Sequence, residues 1–407
     1  MSRYFRLLRA SGSFERRSIL ATSSVGPILD LKVSFGRKER KATVASWTTV
    51  VIGKNGVGKS RLLAGLADLF EAADRKAGRR RSDDILVSRC EYVVDDSVYE
   101  IEVDGNFRLL ARKDGKRCDL GDLALPTRVI ALTTTPFDKF RASRALRSAG
   151  VPREAEQVER YSYLGLRDRT GRASPTAALF RALEVLFEAS ESDAVRRTRV
   201  AEVFRFLGYH PRIVVRYEYS PIARARLERI VNGEPLDQIL GERRTGYSLS
   251  VIRLLERDPR SLDDLRAVGR DVLSRYNGRA IDLRADFAGE SDDRDFFRRL
   301  QVLRRADIIR MQAVEVEREV DGAFLDLRLA SSGELGIVTG FLGLASVIEN
   351  GSLVFIDEPE ISLHPEWQTK YVDLLRSTFE SFTGCHFILA THSPLILPFP
   401  PTPTSAA

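Results

Sequence analysis

The residues best suited to chemistry begin with Gly53-Lys54-Asn55-Gly56-Val57-Gly58-Lys59-Ser60, a G-x-x-x-x-G-K-S string. Such a loop between a strand and a helix wraps a polyphosphate. Gly53, Gly56 and Gly58 allow the backbone to approach an anion closely. Successive N–H groups and the following helix N-terminus then face it. Lys59 can reach the β- and γ-phosphates, and Ser60 can ligand Mg²⁺. Asn55 and Arg61, inside and just after the string, are counted among the nucleotide contacts. A second group is Asp357-Glu358, two carboxylates after the apolar run Leu353-Val354-Phe355-Ile356. The first can hold Mg²⁺ through water, and the second can orient and deprotonate an attacking water. A third is Thr391-His392-Ser393, where an imidazole follows an apolar run and can donate to a γ-phosphate.

These groups need a scaffold that brings their ends together. The β-branched run 49–52 predicts a buried strand, and 61–70 has helical spacing. The runs 128–132, 353–356 and 386–390 are further buried strands, and a parallel sheet binds ligands at the carboxyl ends of its strands. Residues 28–35 alternate as a half-buried strand. Residues 92–94, 98–103 and 107–110 read as a meander, turning at Asp104-Gly105-Asn106. From 141 to 306 the pattern is mainly helical and rich in arginine, with apolar spacing at 177–189, 193–207, 222–231 and 262–276 and a strand at 212–219. A hairpin around Asp321-Gly322 and an apolar helix ending near 348 follow, and a helix is expected over 367–379.

The chain has 407 residues, 43% hydrophobic and 30% charged, with a net charge of +7. That is long enough for two domains. The positive balance suits either a nucleic-acid partner or an arginine-rich soluble protein. The exposed run Arg79-Arg80-Arg81 and the groups Arg196-Arg197 with Arg199, Arg298-Arg299 and Arg304-Arg305 carry the same two readings. Three scattered cysteines fit a reducing cytoplasm, and no apolar run approaches the roughly 20 residues of a membrane span. The four histidines form no HNH pattern, and Asp292, Asp293 and Asp295 read as solvated charges.

The motifs together resemble the ABC-type ATPase heads of the RecF, SMC and double-strand-break-repair group. Ala330-Ser331-Ser332-Gly333-Glu334 looks like the ABC signature, with Ser332 where many members have glycine. Ile361-Ser362-Leu363-His364-Pro365 looks like the D-loop, and His392 like the switch histidine. The strings E-P-E-I-S-L-H-P and A-T-H-S-P are similar to the AAA-21 ATPases. That group includes overcoming-lysogenization-defect (OLD) proteins and the PtuA ATPases of Septu and retron antiphage systems. The resemblance covers 1–140 and 307–395. It implies ATP and Mg²⁺ as cofactors, with Ser331, Ser332, Gly333 and Glu334 of one protomer completing its partner's site. Ser331 and Gly333 N–H groups at a helix N-terminus suit a γ-phosphate. His364 is either a D-loop contact or structural. No glutamine stands at the Q-loop position, where Pro136-Phe137-Asp138-Lys139-Phe140 lies. Asp138 either substitutes at the metal or caps the loop.

The expected fold is α/β: a P-loop NTPase, an ABC-ATPase head with a mixed sheet and an inserted mainly helical subdomain. The expected division is an N-terminal lobe (1–140), the insertion (141–306), a C-terminal lobe (307–397) and an irregular tail (398–407). The tail is shorter than in the related heads, so truncation or a surface supplied by a partner is expected; 15 residues after His392 cannot hold the Toprim nuclease of OLD-type proteins. The resemblance implies a cytoplasmic ATPase that forms a homodimer, or a higher oligomer, through its ATP sites. It would control a separate effector, a nuclease, in antiphage defence. The alternative is a RecF-like repair or recombination ATPase that binds DNA directly; DNA or RNA contact and no membrane belong to this reading.

Overall fold

The computed structural model describes residues 4–14, 29–36, 45–75, 87–142, 160–167, 171–188, 194–220, 222–240, 251–252, 254–255, 260–276, 278–289 and 294–397. The basic runs at 37–41 and 79–81, Asp292 and Asp293, the side chains of Arg196, Arg199 and Arg298, and the tail 398–407 lie outside the described residues.

Two compact units divide the chain. The first comprises Met1–Arg144, Glu159–Ala178 and Gly343–Ala407. At its centre is a parallel sheet in the order β3-β15-β14-β8-β9. Its strands are β3 (Trp47–Ile52), β8 (Val129–Thr133), β9 (Tyr161–Leu164), β14 (Leu353–Asp357) and β15 (His386–Thr391). Every residue of β8, β14 and β15 is buried, as expected of a sheet covered on both faces. The register pairs Ile52 with Thr391, Ala390 with Asp357, and Asp357 with Thr133. Four strand ends from distant parts of the chain therefore share one edge. Helix α1 (Lys59–Asp74) leaves the loop after β3 and buries Leu62, Leu63, Leu66, Leu69 and Phe70.

A second, antiparallel sheet completes this unit in the order β2-β1-β4-β5-β6-β7. It comprises β1 (Phe5–Phe14), β2 (Leu29–Ser34), β4 (Arg89–Val94), β5 (Ser97–Val103), β6 (Leu109–Lys113) and β7 (Lys116–Cys118). The expected mixed sheet is thus two sheets, one of each kind. Aromatic rings join the antiparallel sheet to α1: Phe70 meets Phe5 at 5.8 Å and Tyr92 at 5.2 Å, both edge to face. His386 links the two sheets directly. Its Nδ1 accepts from the Leu7 N–H at 3.0 Å, and its Nε2 lies 3.0 Å from the Thr49 hydroxyl.

The second unit comprises Ala145–Val158 and Leu179–Leu342. The helices expected there occur, at Pro175–Glu188 (α2), Ala194–Phe206 (α3), Ala223–Val231 (α4) and Ser261–Arg275 (α6). Two more, Leu236–Leu240 (α5) and Arg294–Arg305 (α7), accompany them. The element that organises the unit is an antiparallel sheet in the order β11-β10-β12-β13. Its strands are β10 (Tyr209–Tyr219), β11 (Ala280–Asp286), β12 (Ile309–Arg318) and β13 (Phe324–Asp326). Central strand β10 pairs with both β11 and β12. This pairing moves the boundary expected at 306. The hairpin after it and the start of helix α8 (Ser332–Val347) pack with the inserted segment, not with the P-loop unit. Strand pairing between residues a hundred positions apart leaves no local trace in sequence.

His386 is fully buried, and desolvation holds its pKa down at about 3, with the nearby Arg6 adding to the effect. The native state therefore keeps it neutral while the unfolded chain binds a proton below pH 6.5. Its contribution to stability is complete above that pH and declines as pH falls towards 3, by up to about 1.4 kcal/mol per pH unit. His386→Gln cannot titrate. Denaturant unfolding of wild type and variant from pH 7 to 4 should show the wild type losing stability faster on acidification. Parallel curves would refute this assignment.

Candidate nucleotide-binding site

The loop between β3 and α1 turns through Gly56 (φ 80°) and Gly58 (φ 98°), left-handed conformations that side-chain-bearing residues rarely adopt. Gly58 is the N-cap of α1, so the first helical residues, Lys59 and Ser60, stand at the sheet edge. Lys59 is only 7% exposed. A buried ammonium needs acceptors, and it has three: Gly53 O at 2.6 Å, Lys54 O at 3.2 Å and His392 Nδ1 at 2.8 Å. Burial lowers its pKa, and the carboxylates of Glu358, Asp357 and Glu360 pull it back.

His392 Nδ1 also lies 2.9 Å from Gly53 O, and its Nε2 lies 2.7 Å from Glu358 Oε1. Lys59, His392 and Glu358 form one hydrogen-bonded chain although their positions span 333 residues. Glu358 itself sits at φ 50°, a left-handed backbone that costs on the order of 1–2 kcal/mol. Pro359 disfavours the right-handed helical alternative. Two bonds hold the turn: Glu358 N donates to Ala390 O at 2.8 Å, and Thr134 Oγ1 donates to Glu358 O at 3.0 Å. In a continuing strand, Asp357 and Glu358 would point to opposite faces. The turn lets both serve the same edge.

Asp357, at 1% exposure, accepts from the Ser60 hydroxyl through Oδ1 at 2.9 Å. Its Oδ2 is buried without a hydrogen-bond partner. Burial pushes its pKa up to about 7; the Ser60 bond opposes this, while Glu358 and Asp138 add to it. A hydroxyl beside a buried, under-satisfied carboxylate is a hard-oxygen pair that suits Mg²⁺.

Asp138 has another occupation. Its Oδ1 accepts from Arg167 at 2.7 Å and from Phe140 N at 3.0 Å. Its Oδ2 accepts from Tyr163 at 2.7 Å and from Arg167 Nε at 3.1 Å. This ion pair ties the loop after β8 to β9 and leaves neither oxygen vacant. Of its two sequence readings, the geometry favours the structural one. His364 goes the same way: it caps helix α9 (Pro365–Thr378), its Nδ1 accepting from Glu366 N at 3.4 Å.

Ser331, Ser332, Gly333 and Glu334 lie in the second unit, at the start of α8. Ser331 and Glu334 form a reciprocal capping box, with Glu334 N donating to Ser331 Oγ at 3.2 Å and Ser331 N to Glu334 Oε2 at 2.9 Å. The other Glu334 oxygen accepts from the buried Tyr209 hydroxyl at 3.0 Å. Glu334 thus shapes the helix start, whose first turn holds Ser332 and Gly333. Sequence reading passed over Glu360, Gln368, Tyr163 and Arg167. Glu360 stands inside the string E-P-E-I-S-L-H-P without a role assigned to it, and the other three carry no motif.

Strand, glycine loop, helix, and an acidic strand end beside the loop define a P-loop nucleoside-triphosphate-binding fold. Residues 217–397 match the family described as "AAA domain, putative AbiEii toxin, Type IV TA system" (AAA_21). That match spans less than half of the chain and agrees with the resemblance its motifs carry. Over 54 residues it is 43% identical to the "Retron Vc95 probable ATPase" of Vibrio cholerae serotype O1 biovar El Tor, a match covering 13% of this chain and 10% of that protein. The chain therefore matches only a tenth of the length of this curated relative. Among solved structures it is similar to the SmcHead bound to the C-winged helix domain of ScpA, with 12% identity, a TM-score of 0.39, and coverage of 97% of this chain and 90% of that one. It is also similar to the recombination mediator RecF, with 12% identity, a TM-score of 0.33, and coverage of 98% and 95%. Among the described residues, no helix is long and apolar enough to cross a membrane.

The Asp357 carboxyl makes a testable contribution to stability. Its native pKa of about 7 lies above the ordinary 3.8, so the native state holds a proton that the unfolded chain has lost. In nucleotide-free protein, stability should fall between about pH 4 and 7, by up to about 1.4 kcal/mol per pH unit, and stay low above. Asp357→Asn should therefore raise the melting temperature more at pH 8 than at pH 4.5. An equal gain at both pH values would show that the carboxyl is not perturbed.

Proposed function

We propose that the chain binds ATP with Mg²⁺ and hydrolyses it, and that the hydrolysis cycle switches a separate effector, a nuclease, in antiphage defence. The observation that carries the catalytic part is the Lys59–His392–Glu358 chain, at 2.8 and 2.7 Å, beside the Ser60–Asp357 pair. Ser60 and Asp357 would hold Mg²⁺, which when bound neutralises charge on the phosphates. The P-loop N–H groups cradle the phosphates, and Gly53, Asn55, Gly56, Gly58 and Arg61 belong to that wrap. Lys59 exchanges its carbonyl and imidazole acceptors for phosphate oxygens. His392, released by Lys59 and drawn to the γ-phosphate, leaves Glu358 free to accept a proton from water. In the nucleotide-free state the base is thus held by the histidine, which limits hydrolysis to the loaded site.

Ser331, Ser332 and Gly333 would complete the site of a second protomer, as the resemblance to ABC-type heads suggests. Effector control rests on the family match and the retron ATPase relative. The RecF-like alternative, direct contact with DNA or RNA, has weaker support. Arginines on the second unit's sheet and helices are paired with acids: Arg212 with Asp286, Arg216 with Asp282, Arg229 with Glu234 and Arg299 with Asp271. Paired guanidinium groups contribute less to a phosphate-binding field.

Lys59→Ala should abolish ATP binding or turnover. Glu358→Gln should bind ATP and hydrolyse it about 10²–10⁴-fold more slowly. Phosphate release and analogue binding measure both, and wild-type turnover in either variant would remove that residue from the mechanism. Ser331→Arg should bind ATP without hydrolysing it. Mixed with Lys59→Ala, it should regain turnover, because each heterodimer would contain one intact composite site. If verified heterodimers stay inactive, the site is not shared. Co-elution of the chain with neighbouring gene products, with and without ATP, tests the effector; a chain that cuts nucleic acid unaided would overturn it.

A further inference from the structure

We infer that Glu360 is a positioning residue that holds the His392 loop in its working geometry, an inference that rests on the catalytic reading of His392. The reason begins with topology. β14 and β15 are neighbouring parallel strands, so the loops leaving their carboxyl ends run side by side. Beyond Thr391 the ladder stops, and the next backbone N–H groups need other acceptors. Glu360, three residues past the end of β14, supplies one. Its Oε1 accepts from His392 N at 2.6 Å and from Ser393 N at 3.2 Å. One carboxylate oxygen therefore reaches two consecutive N–H groups: that of the histidine itself, and that of Ser393, which it shares with Thr391 Oγ1 at 3.0 Å. The first bond is the shorter of the two.

A second anchor acts on the same loop. The Ser393 hydroxyl donates to Gln368 Oε1 at 2.7 Å, and Gln368 Nε2 donates to Leu363 O at 3.0 Å. Glu360 and Gln368 thus join the histidine loop to the segment 361–364, where Ser362 sits at φ 66°. Glu360 Oε2 is buried with no hydrogen-bond partner, so the carboxylate is committed to the loop through one oxygen. An imidazole whose ring must reach both Lys59 and Glu358 tolerates little drift of its backbone. Positioning errors of about 1 Å cost on the order of 10²-fold in rate.

The test is a double-mutant cycle. Glu360→Ala should lower kcat by about 10–100-fold, with affinity for a non-hydrolysed ATP analogue within about threefold of wild type. In a His392→Ala background the same substitution should cost nothing further, because its effect runs through the imidazole. Glu360→Gln keeps an oxygen for the two N–H groups and should retain turnover within a few-fold. Multiplying losses in the double variant, wild-type turnover in Glu360→Ala, or a Gln variant as slow as the Ala variant would each overturn the inference. Hydrogen exchange over residues 389–397 of the nucleotide-free protein reads positioning without catalysis. Exchange there should accelerate in Glu360→Ala and not in Glu360→Gln; unchanged exchange in Glu360→Ala overturns the inference as well. If His392→Ala keeps wild-type turnover, the catalytic reading of His392 falls instead, and the exchange result alone decides whether Glu360 holds the loop.

Discussion

The burial of one ammonium sets the conditions for the rest of the site. Lys59 is taken almost wholly out of water at the first turn of a helix, where backbone carbonyls are not available on its own element. Leaving such a charge unpaired would cost several kcal/mol. Its three donors therefore require three acceptors, and two come from the loop it follows. The third neighbour is His392 Nδ1, which also lies 2.9 Å from Gly53 O. With its other nitrogen 2.7 Å from Glu358 Oε1, the ring stands between the ammonium and that carboxylate. The need to partner one buried charge thus brings the imidazole and the carboxylate together.

The parallel sheet makes this arrangement possible. Because β3, β15, β14 and β8 run the same way in a tight register, their carboxyl ends deliver the glycine loop, the histidine, the acidic pair and Thr133 to one edge. The cost appears as strain and as imperfect satisfaction. Glu358 occupies a left-handed backbone, and Asp357 and Glu360 each keep a buried oxygen without a partner. Departures of this kind concentrate where a protein prepares for a ligand. They contrast with His386, on the same strand as His392 but at its other end. There both ring nitrogens are satisfied, and the residue joins two sheets.

In the second unit the same economy of polar groups shapes the start of helix α8. Glu334 returns to the Ser331 backbone and accepts from Tyr209, so a residue that resembles a nucleotide contact acts as a cap. Tyr209 begins β10, the central strand of that unit's sheet. The start of the helix is therefore tied to the inserted segment by a buried hydrogen bond. Among the arginines that suggested a nucleic-acid surface, Arg299 pairs with Asp271 of its own unit.

The sequence by itself determined the phosphate loop, the acidic strand end and the histidine. Each is a short string whose chemistry depends on residue type and near-neighbour spacing. It also determined the buried strands, because β8, β14 and β15 are covered on both faces and read as unbroken apolar runs. The alternating meander was legible for a similar local reason. Tertiary structure alone decided where the units divide, since β10 pairs with β12 across about a hundred residues. It decided that Asp138 belongs to Arg167 and Tyr163, because an acid in a loop looks the same whether it meets a metal or a guanidinium. It likewise singled out Glu360 from three nearby acids. Which carboxylate oxygen meets which N–H depends on the register of two strands, and no spacing along the chain records that.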